Sequence, residues 1–409
     1  MYTPELLRAL PKSDLHCHLD GSLRVKTIIE LAEIQKVELP SKNEDDLLKI
    51  LSIGPSEKSL EDYIKKFDIT LSVLQTPESL ERAAFELAMD CHDDGVRYLE
   101  VRYSPILHTK KGMLLSETVD SVKKGLAQAF NECGILTGII ICGIRHISPG
   151  HSLELANLSV EYKNKGVIGF DLAGAEENFP AKKHKEAFYL ILNNNINTTL
   201  HAGEVYGPKS IHQAIHVCGA HRIGHGTRAI EDTDLLNYIN DHRIPLEVCL
   251  TSNINTRSVS SISEHPFKHY INEKIRVTLN TDNRLISNTT LSNEYKIANS
   301  IITGRIIPEV QEMVDKLIII KSDYIEQLSC KPICHLVKPK VFIFHGANDN
   351  MVPFTESIQL NQLIPDSSLL ISYIFEHKGV SNKRSILFKL KEILKLVYFL
   401  SRFDKHNAS

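Results

Sequence analysis

The sequence predicts a closed (β/α)8 barrel of the α/β class, a TIM barrel, followed by a smaller C-terminal segment. Eight short apolar runs rich in β-branched residues occur within the first 280 residues, and helical patterns separate them. Strands that alternate with helices form parallel sheets, and eight such units close into a barrel. Polar side chains follow several of the runs, where barrel enzymes place their active sites. A doubly wound open sheet is the alternative, but no Gly-x-Gly-x-x-Gly follows any of the runs, which weakens it.

The composition excludes several classes of protein. Of 409 residues, 42% are hydrophobic and 24% are charged, as in soluble globular proteins. A net charge of -3 gives no basic surface for nucleic acid or an anionic membrane. Because the chain has neither a long apolar span nor a signal-peptide pattern, we expect a cytoplasmic protein. The eight cysteines form no Cys-x-x-Cys pair, so we expect reduced core residues and no zinc site of the Pro-Cys-x-x-Cys type.

The elements can be placed in chain order from the apolar spacing. Helices are predicted at residues 4–10, 27–35, 44–51, 60–74 and 78–93. Strands are predicted at residues 12–18, 96–101, 137–144, 167–172, 197–201, 222–225, 245–250 and 276–280. The 60–74 helix carries a stripe of apolar residues, Leu60, Tyr63, Ile64 and Phe67. This stripe either faces the core or forms an apolar lid beside the strand ends.

The first strand ends in Leu-His-Cys-His-Leu-Asp-Gly, with histidines at positions 16 and 18. Residues two apart on a strand point to the same side, so His16 and His18 present both imidazoles together. A His-x-His pair that merely packs is the alternative. Other polar residues follow later strands at the same end of the predicted barrel: Asp171, Gly174, His201, Glu204, His225, Asp282 and Asn283. Packing alone does not explain four histidines and an acid at converging strand ends.

These residue types favour a catalytic metal site. Neutral imidazoles and a carboxylate suit a divalent cation such as Zn2+, and we predict His16, His18, His201 and Asp282 as its ligands. The bound metal would lower the pKa of a water molecule toward about 7, and His225 is the candidate base. Glu204, three residues after His201, would donate a proton to a substrate ring nitrogen if burial raises its pKa. A solvated loop carboxylate is the alternative for Glu204.

Seven segments between about residue 10 and residue 299 resemble the signature segments of adenosine deaminases. They are Leu-Pro-Lys-Ser-Asp-Leu-His-Cys-His-Leu-Asp-Gly at 10–21, Glu-Val-Arg-Tyr-Ser-Pro at 100–105, Asp-Leu-Ala-Gly at 171–174, His-Ala-Gly-Glu at 201–204, Arg-Ile-Gly-His-Gly at 222–226, Glu-Val-Cys at 247–249 and Leu-Asn-Thr-Asp at 279–282. The order and spacing match that family, and the segments touch most of the predicted strands.

The resemblance implies one zinc ion per chain, held by the four predicted ligands. It further implies that Glu204 protonates purine N1, that His225 orients the hydroxide and that the Gly174 backbone contacts purine N3. Further implied substrate contacts are His18, Asp20 at the ribose 5'-hydroxyl, and the lid of Leu60, Tyr63, Ile64 and Phe67. Asp282 would act in catalysis as well as binding the metal. The implied reaction converts adenosine or 2'-deoxyadenosine to inosine or 2'-deoxyinosine plus ammonia, in purine salvage.

Asn283 departs from part of the family. Animal adenosine deaminases have Asp at this position, in contact with purine N7, whereas many bacterial members resemble this chain in carrying Thr-Asp-Asn-Arg-Leu. An amide donates to N7 without having to be protonated, so we expect activity to persist. Adenine or another 6-aminopurine is the alternative substrate.

The resemblance ends near residue 300, and we predict a barrel domain at 1–303 and a second segment at 304–409. Residues 339–353 and 369–377 resemble the last strands of an α/β-hydrolase, including a triad Asp (Asp349) and His (His377). A predicted helix at 308–321 either covers the barrel or belongs to this fragment. No Gly-x-Ser-x-Gly nucleophile motif exists in the chain, so we expect no esterase activity.

We therefore predict a zinc-dependent adenosine deaminase whose partner is a small purine nucleoside. The rival of another class is a catalytically dead barrel with a binding or signalling role. The intact set of His16, His18, His201, Glu204, His225 and Asp282 argues against that rival. The sequence carries no signal for the oligomeric state.

Overall fold

The computed structural model describes residues 4–53, 60–303, 331–346, 354–373, 375–376, 379–380 and 386–407. The chain divides into two compact units, Met1–Ile307 and Pro308–Ser409. Among the helices of these described residues, none has the length and apolar character needed to cross a membrane. The functional identity of the second unit stays a prediction, as do the domain limits.

The first unit contains eight parallel strands that neighbour one another in chain order. They are β1 (Lys12–His18), β2 (Val96–Tyr103), β3 (Leu136–Ile144), β4 (Val167–Ala173), β5 (Asn197–Ala202), β6 (Arg222–His225), β7 (Leu246–Val248) and β8 (Val277–Leu279). The last strand meets the first where Asp282 N donates to His16 O at 2.8 Å and His18 N donates to Asp282 O at 2.7 Å. The predicted (β/α)8 barrel is therefore confirmed.

The strands read as continuous apolar runs because helices cover their outer face while side chains fill the barrel. In β3 and β4 nearly every residue is buried. β7 is shorter than the predicted 245–250 strand because a helix begins at Leu250. Each strand delivers its last residues to the same end of the barrel, and this convergence positions the site.

Fourteen α-helices of the first unit lie within the described residues. They are α1 (Pro4–Ala9), α2 (Val25–Gln35), α3 (Glu44–Leu51), α4 (Leu60–Lys65), α5 (Phe67–Val73), α6 (Pro77–Asp93), α7 (Leu115–Cys133), α8 (Pro149–Glu161), α9 (Lys185–Asn193), α10 (Pro208–His216), α11 (Thr233–Asp241), α12 (Leu250–Asn255), α13 (Phe267–Asn272) and α14 (Leu291–Thr303). The single helix predicted at 60–74 is in fact α4 and α5, because a tight turn in which Lys66 N donates to Tyr63 O interrupts it.

Local sequence explains the ends of the longer helices. Thr76 caps the start of α6: its side chain accepts from Ser79 N, and its own backbone N–H donates to Ser79 Oγ. Proline at the first helical position completes this start signal. Gly95, just after the end of α6, has a φ of 86°, the left-handed conformation that ends helices most easily at glycine.

The second unit contains two parallel strands, β9 (Val341–Gly346) and β10 (Ser367–Ser372), connected through α15 (Phe354–Leu363). A short antiparallel pair, β11 (Phe375–Glu376) and β12 (Gly379–Val380), and the helix α16 (Ile386–Asn407) follow. The rings of Phe342 and Phe399 pack edge to face at 5.5 Å. Asp349, His377 and the predicted 308–321 helix lie outside the described residues, so the resemblance to an α/β-hydrolase stays a prediction.

Candidate metal centre

A cavity of about 240 Å³ opens at the carboxyl ends of the barrel strands. Most of the residues predicted from the sequence line it: His18, Asp20, Tyr63, Ile64, Phe67, Gly174, His201, Glu204, His225, Asp282 and Asn283. His16 lies directly beneath this lining with no exposed surface. Leu60 begins α4, but its side chain lies outside the described residues.

The four predicted metal ligands come together in the floor of the cavity. One ligand atom from each of His16, His18, His201 and Asp282 lies within 4.8 Å of all the others. His201 Nε2 is 3.0 Å from His16 Nε2 and 3.2 Å from His18 Nε2. Asp282 Oδ1 is 3.4 Å from both His16 Nε2 and His18 Nε2. Within the described part of the chain, this is the one such cluster of potential metal ligands.

The backbone aims these side chains inward. His16 and His18 share a face of β1, and His201 is the second-last residue of β5. Asp282 and His225 adopt left-handed conformations, with φ of 59° and 63°. Such conformations cost a non-glycine residue about 1–3 kcal/mol and cluster at functional sites. The packing of the surrounding barrel stabilises both of these strained backbone conformations.

Two buried carboxylates orient the imidazoles of the floor. His16 Nδ1 is 2.9 Å from Glu247 Oε2, and His201 Nδ1 is 2.9 Å from Asp171 Oδ2. Because an ionised carboxylate only accepts hydrogen bonds, each Nδ1 carries the hydrogen and each Nε2 presents its lone pair to the cluster. The tautomers of both histidines therefore suit metal binding.

Arg102 joins the two carboxylates beneath the floor. Its side chain is fully buried, and its Nη1 donates to Asp171 Oδ2 at 3.0 Å while its Nη2 donates to Glu247 Oε2 at 2.9 Å. Arg222 adds a second cation on the other oxygen of Glu247, with its Nε at 2.7 Å from Oε1. Burying a charge is costly unless it is paired and hydrogen-bonded. This layer meets that condition by pairing the carboxylates with arginines.

The residues of the floor fit a cation. Lone pairs on His16 Nε2 and His201 Nε2 face each other at 3.0 Å, which is repulsive without a positive charge between them. Two nitrogens that share a tetrahedral cation at about 2.0–2.1 Å lie roughly 3.3 Å apart. Burial lowers the pKa values of His18 and His201, so both imidazoles stay neutral and keep a lone pair. The floor therefore offers lone pairs that a metal cation would bind.

Glu204 and His225 stand beside the cluster as an acid–base pair. His225 Nε2 is 3.6 Å from Glu204 Oε2. Burial, reinforced by the negative charges of Asp282 and Glu176, raises the pKa of Glu204 to about 8. Burial also lowers the pKa of His225 well below its usual value. At neutral pH Glu204 is therefore protonated and His225 is neutral, so one can donate a proton and the other can accept one.

Asp20 and Asn283 form a polar wall of the cavity. Asp20 Oδ1 and Asn283 Oδ1 are buried and have no hydrogen-bond partner among the described residues. Burial raises the pKa of Asp20 to about 7. A Cβ on Gly21 would lie 1.8 Å from Asn283 Oδ1, so the glycine of the histidine motif makes room for Asn283. Unpaired buried polar atoms are costly, and a polar ligand in the cavity would pair them.

An apolar wall of the cavity comes from α4 and α5. Tyr63 is buried, and its hydroxyl is 2.9 Å from Ser287 Oγ. The rings of Tyr63 and Phe67 lie 6.3 Å apart, and Ile64 lines the cavity with them. These side chains therefore border the cavity rather than the barrel core, as the lid interpretation predicts.

Several residues around the site have no counterpart among the predicted site residues. Arg102 and Glu247 lie in apolar strands, and a charge in a buried strand signals a paired partner. Glu176 and Asn253 lie outside the strands and gave no such signal. Asn253 is buried, with Nδ2 at 3.1 Å from His225 Nδ1 and Oδ1 at 3.2 Å from His265 Nε2.

The fold and the site define a metal-dependent hydrolase on a (β/α)8 barrel. The sequence model of the family described as adenosine deaminase matches residues 11–304. The chain belongs to the adenosine deaminase family.

Similarity to individual proteins agrees with this assignment. A probable adenosine deaminase of Dictyostelium discoideum is 43% identical over 76% of this chain, which spans only 40% of that relative's length. An adenosine deaminase of Clostridium kluyveri is 38% identical over 71% of this chain and 84% of its own length. Among solved structures, an N6-methyl-AMP deaminase from Arabidopsis thaliana is 30% identical with a TM-score of 0.65, over 74% of this chain and 89% of that chain. The predicted family and the predicted assignment as an adenosine-deaminating hydrolase are confirmed.

Proposed function

We propose that this chain catalyses the zinc-dependent hydrolytic deamination of adenosine and 2'-deoxyadenosine to inosine and 2'-deoxyinosine, with release of ammonia. The observation that carries the proposal is the convergence of His16, His18, His201 and Asp282 directly beside the pair of Glu204 and His225. One half of this arrangement suits a cation, and the other half suits proton transfer.

Imidazole nitrogens and carboxylate oxygens are ligands that zinc takes in proteins, and catalytic zinc sites keep a position open for water. When bound there, Zn2+ lowers the pKa of a water molecule toward about 7 and supplies a nucleophile at neutral pH. His16, His18, His201 and Asp282 would hold the ion. Asp282 Oδ2 accepts from Ser252 Oγ at 2.5 Å, which leaves Oδ1 for the centre of the cluster.

Glu204 and His225 would move the protons of the reaction. Oxygen of water bonds to C6 of the purine while His225 takes one proton from that water and Glu204 gives its proton to N1. The C6–N bond then breaks, and the amino group leaves as ammonia with the proton that His225 returns. The remaining hydrogen of the water restores protonated Glu204 as C6 becomes a carbonyl. General acid–base catalysis of this kind contributes about 100- to 10,000-fold.

The remaining lining residues would position the nucleoside. The Gly174 backbone contacts N3, Asn283 donates to N7, and Asp20 binds the ribose 5'-hydroxyl. The unpaired Oδ1 of Asp20 supports its role because the ribose 5'-hydroxyl would donate to it. Tyr63, Ile64 and Phe67 cover the apolar face of the purine. No feature of the described residues indicates a nucleic-acid or membrane partner, and we place the reaction in the cytoplasm.

Adenine and N6-methyl-AMP are the alternative substrates of the same chemistry. The relatives named adenosine deaminase share 38–43% identity with this chain, against 30% for the N6-methyl-AMP deaminase. Asp20 also lines the cavity with an unpaired oxygen, which a ribose hydroxyl would pair and adenine, which has no ribose, would not. Both considerations favour adenosine.

The test is direct turnover by the purified full-length chain. Loss of adenosine absorbance, with inosine and ammonia identified as products, is the expected result, and 2'-deoxyadenosine should behave alike. Adenine and N6-methyl-AMP should react far more slowly. Faster turnover of either would reassign the substrate, and no turnover of any of the four by metal-loaded protein would favour the catalytically dead barrel.

A further inference from the structure

The turn that carries Glu204 is organised around a carboxylate from another loop. Glu176 lies after β4 and is buried. Its Oε1 accepts from Gly203 N at 2.6 Å, and its Oε2 accepts from Glu204 N at 3.1 Å, Val205 N at 2.7 Å and Tyr206 N at 2.9 Å. Four consecutive backbone N–H groups therefore point at one side chain.

The backbone of this turn has no regular structure to pair with. Buried backbone N–H groups need acceptors, and residues 203–206 belong to no helix or strand that would supply them. Hydrogen bonds to an ionised acceptor are roughly twice as strong as neutral ones. Glu176 thus takes the place of secondary structure for this turn.

Other contacts fix the same turn from its opposite side. Arg228, three residues after His225, donates its backbone N–H to Gly203 O at 2.8 Å, and its guanidinium donates to Val205 O. Gly203 has a φ of 68°, and a Cβ there would lie 2.3 Å from Ile211 Cδ1. The turn is therefore anchored between the loop after β4 and the loop after β6. Gly203 has no space for a side chain.

We propose that Glu176 is a positioning residue for Glu204, which it holds in reach of the purine N1 by binding the four N–H groups of its turn. The inference rests on the proposed role of Glu204 in deamination. Glu176 is not among the residues that line the cavity, so its effect on catalysis passes through the turn that carries Glu204. Its negative charge also helps burial and Asp282 to raise the pKa of Glu204.

The test variant is Glu176→Gln, which replaces one acceptor oxygen by an amide that faces N–H groups. A small displacement of a catalytic group costs up to about 100-fold in rate, so kcat should fall roughly 10- to 100-fold while KM changes little and metal content stays at the wild-type level. Glu177→Gln is the matched control because Glu177 is the neighbouring acid and is exposed. It should keep wild-type kinetics.

Two further measurements separate positioning from a general structural role. Combined with Glu204→Gln, Glu176→Gln should lower kcat by less than about 3-fold further, because residues that act as a unit are not additive. Competitive inhibition by 1-deazaadenosine, which lacks N1, should have the same constant in wild type and Glu176→Gln. Independent losses in the double variant, or loss of bound metal, would overturn the inference.

If Glu176→Gln does not fold, Glu176→Asp is the substitute variant. It keeps both acceptor oxygens, but its shorter side chain places them farther from the turn. It should retain metal and lose kcat; wild-type kcat would overturn the inference. A Glu204→Gln variant with normal turnover would instead remove the proposed function of Glu204 and this inference with it. If Glu204→Gln loses activity as expected, but the losses in kcat from Glu176→Gln and Glu204→Gln are additive, the inference about Glu176 fails while the proposed function stands.

Discussion

The floor and the polar wall of the cavity differ in how their polar atoms are paired. In the floor, the Nδ1 atoms of His16 and His201 each bond a carboxylate, and both carboxylates bond Arg102. In the wall, Asp20 Oδ1 and Asn283 Oδ1 have no partner among the described residues. The Nδ1 atoms of the floor and the carboxylates they bond are thus paired before a substrate arrives, although Arg102 Nε has no partner among the described residues, whereas the two wall oxygens are unpaired.

This difference assigns separate tasks to the two regions. A paired network keeps its geometry without reorganisation, which suits a site that must hold a cation. Unpaired acceptors gain their hydrogen bonds only when a ligand supplies them, which suits recognition of a polar purine nucleoside. Changes in the floor should therefore remove metal and activity together, while changes at the wall should leave the metal in place.

The largest effect is expected for His201→Ala, which removes one ligand from the floor. Metal affinity should fall by more than the 10- to 100-fold typical of outer-layer residues, and turnover should disappear with the metal. Metal analysis after dialysis, beside turnover, measures both. His212→Ala is the control because His212 is an exposed histidine outside the cavity. Full metal occupancy in His201→Ala would show that His201 is not a ligand.

Glu204→Gln tests whether metal binding and proton donation depend on different residues. Because Glu204 lies outside the proposed ligand set, the variant should keep its metal yet lose about 100- to 10,000-fold in kcat. Near-normal turnover would contradict the assigned role.

The pH dependence of the wild type offers a second check on Glu204. Glu204 must be protonated to donate, and its pKa is raised to about 8. Its active form is thus present below this pH, and kcat/KM should decline as pH rises through about 8. An unchanged rate well above that pH would contradict the assignment.

Arg102→Met should weaken the floor without touching a ligand. Asp171 and Glu247 would lose a shared cation, and the loss in metal affinity should be roughly 10- to 100-fold. Arg222→Met is the matched comparison because Arg222 bonds Glu247 but not Asp171, so its effect on affinity should be smaller. Chelator competition measures both variants. Equal affinities in Arg102→Met and wild type would show that the ligands need no such layer.

The smallest effect belongs to the wall. Asn283→Asp should retain the metal and change the pH dependence of kcat/KM more than its maximum, because Asp donates to N7 only when protonated. The variant should lose activity at higher pH relative to wild type. Superimposable pH profiles would remove Asn283 from the purine contacts.

The grouping of His16, His18, His201 and Asp282 was predictable because two simple rules converge on it. Alternation along a strand places His16 and His18 on one side, and barrel topology brings His201 and Asp282 to the same end. The apolar runs gave all eight strands, although β7 and β8 are shorter than expected. The break between α4 and α5 has no glycine or proline to mark it, so the helical pattern alone missed it.

The supporting layers could not be predicted because they depend on pairings distant in sequence. Arg102 bonds residues 69 and 145 positions away, and nothing local indicates which carboxylates it meets. Glu176 reaches its turn across 27 to 30 positions. A glutamate in a polar loop has the same local signature whether it is solvated or accepts four backbone bonds. Only the folded arrangement distinguishes the two.

The most direct test of the division between floor and wall is a zinc titration of metal-depleted protein, with bound metal and adenosine turnover measured on the same samples. Turnover should rise in proportion to bound zinc and reach its maximum at one ion per chain. Glu204→Gln should bind zinc with the same stoichiometry while its turnover stays low. Full turnover in metal-depleted wild type, or a loss of zinc binding in Glu204→Gln, would contradict the account.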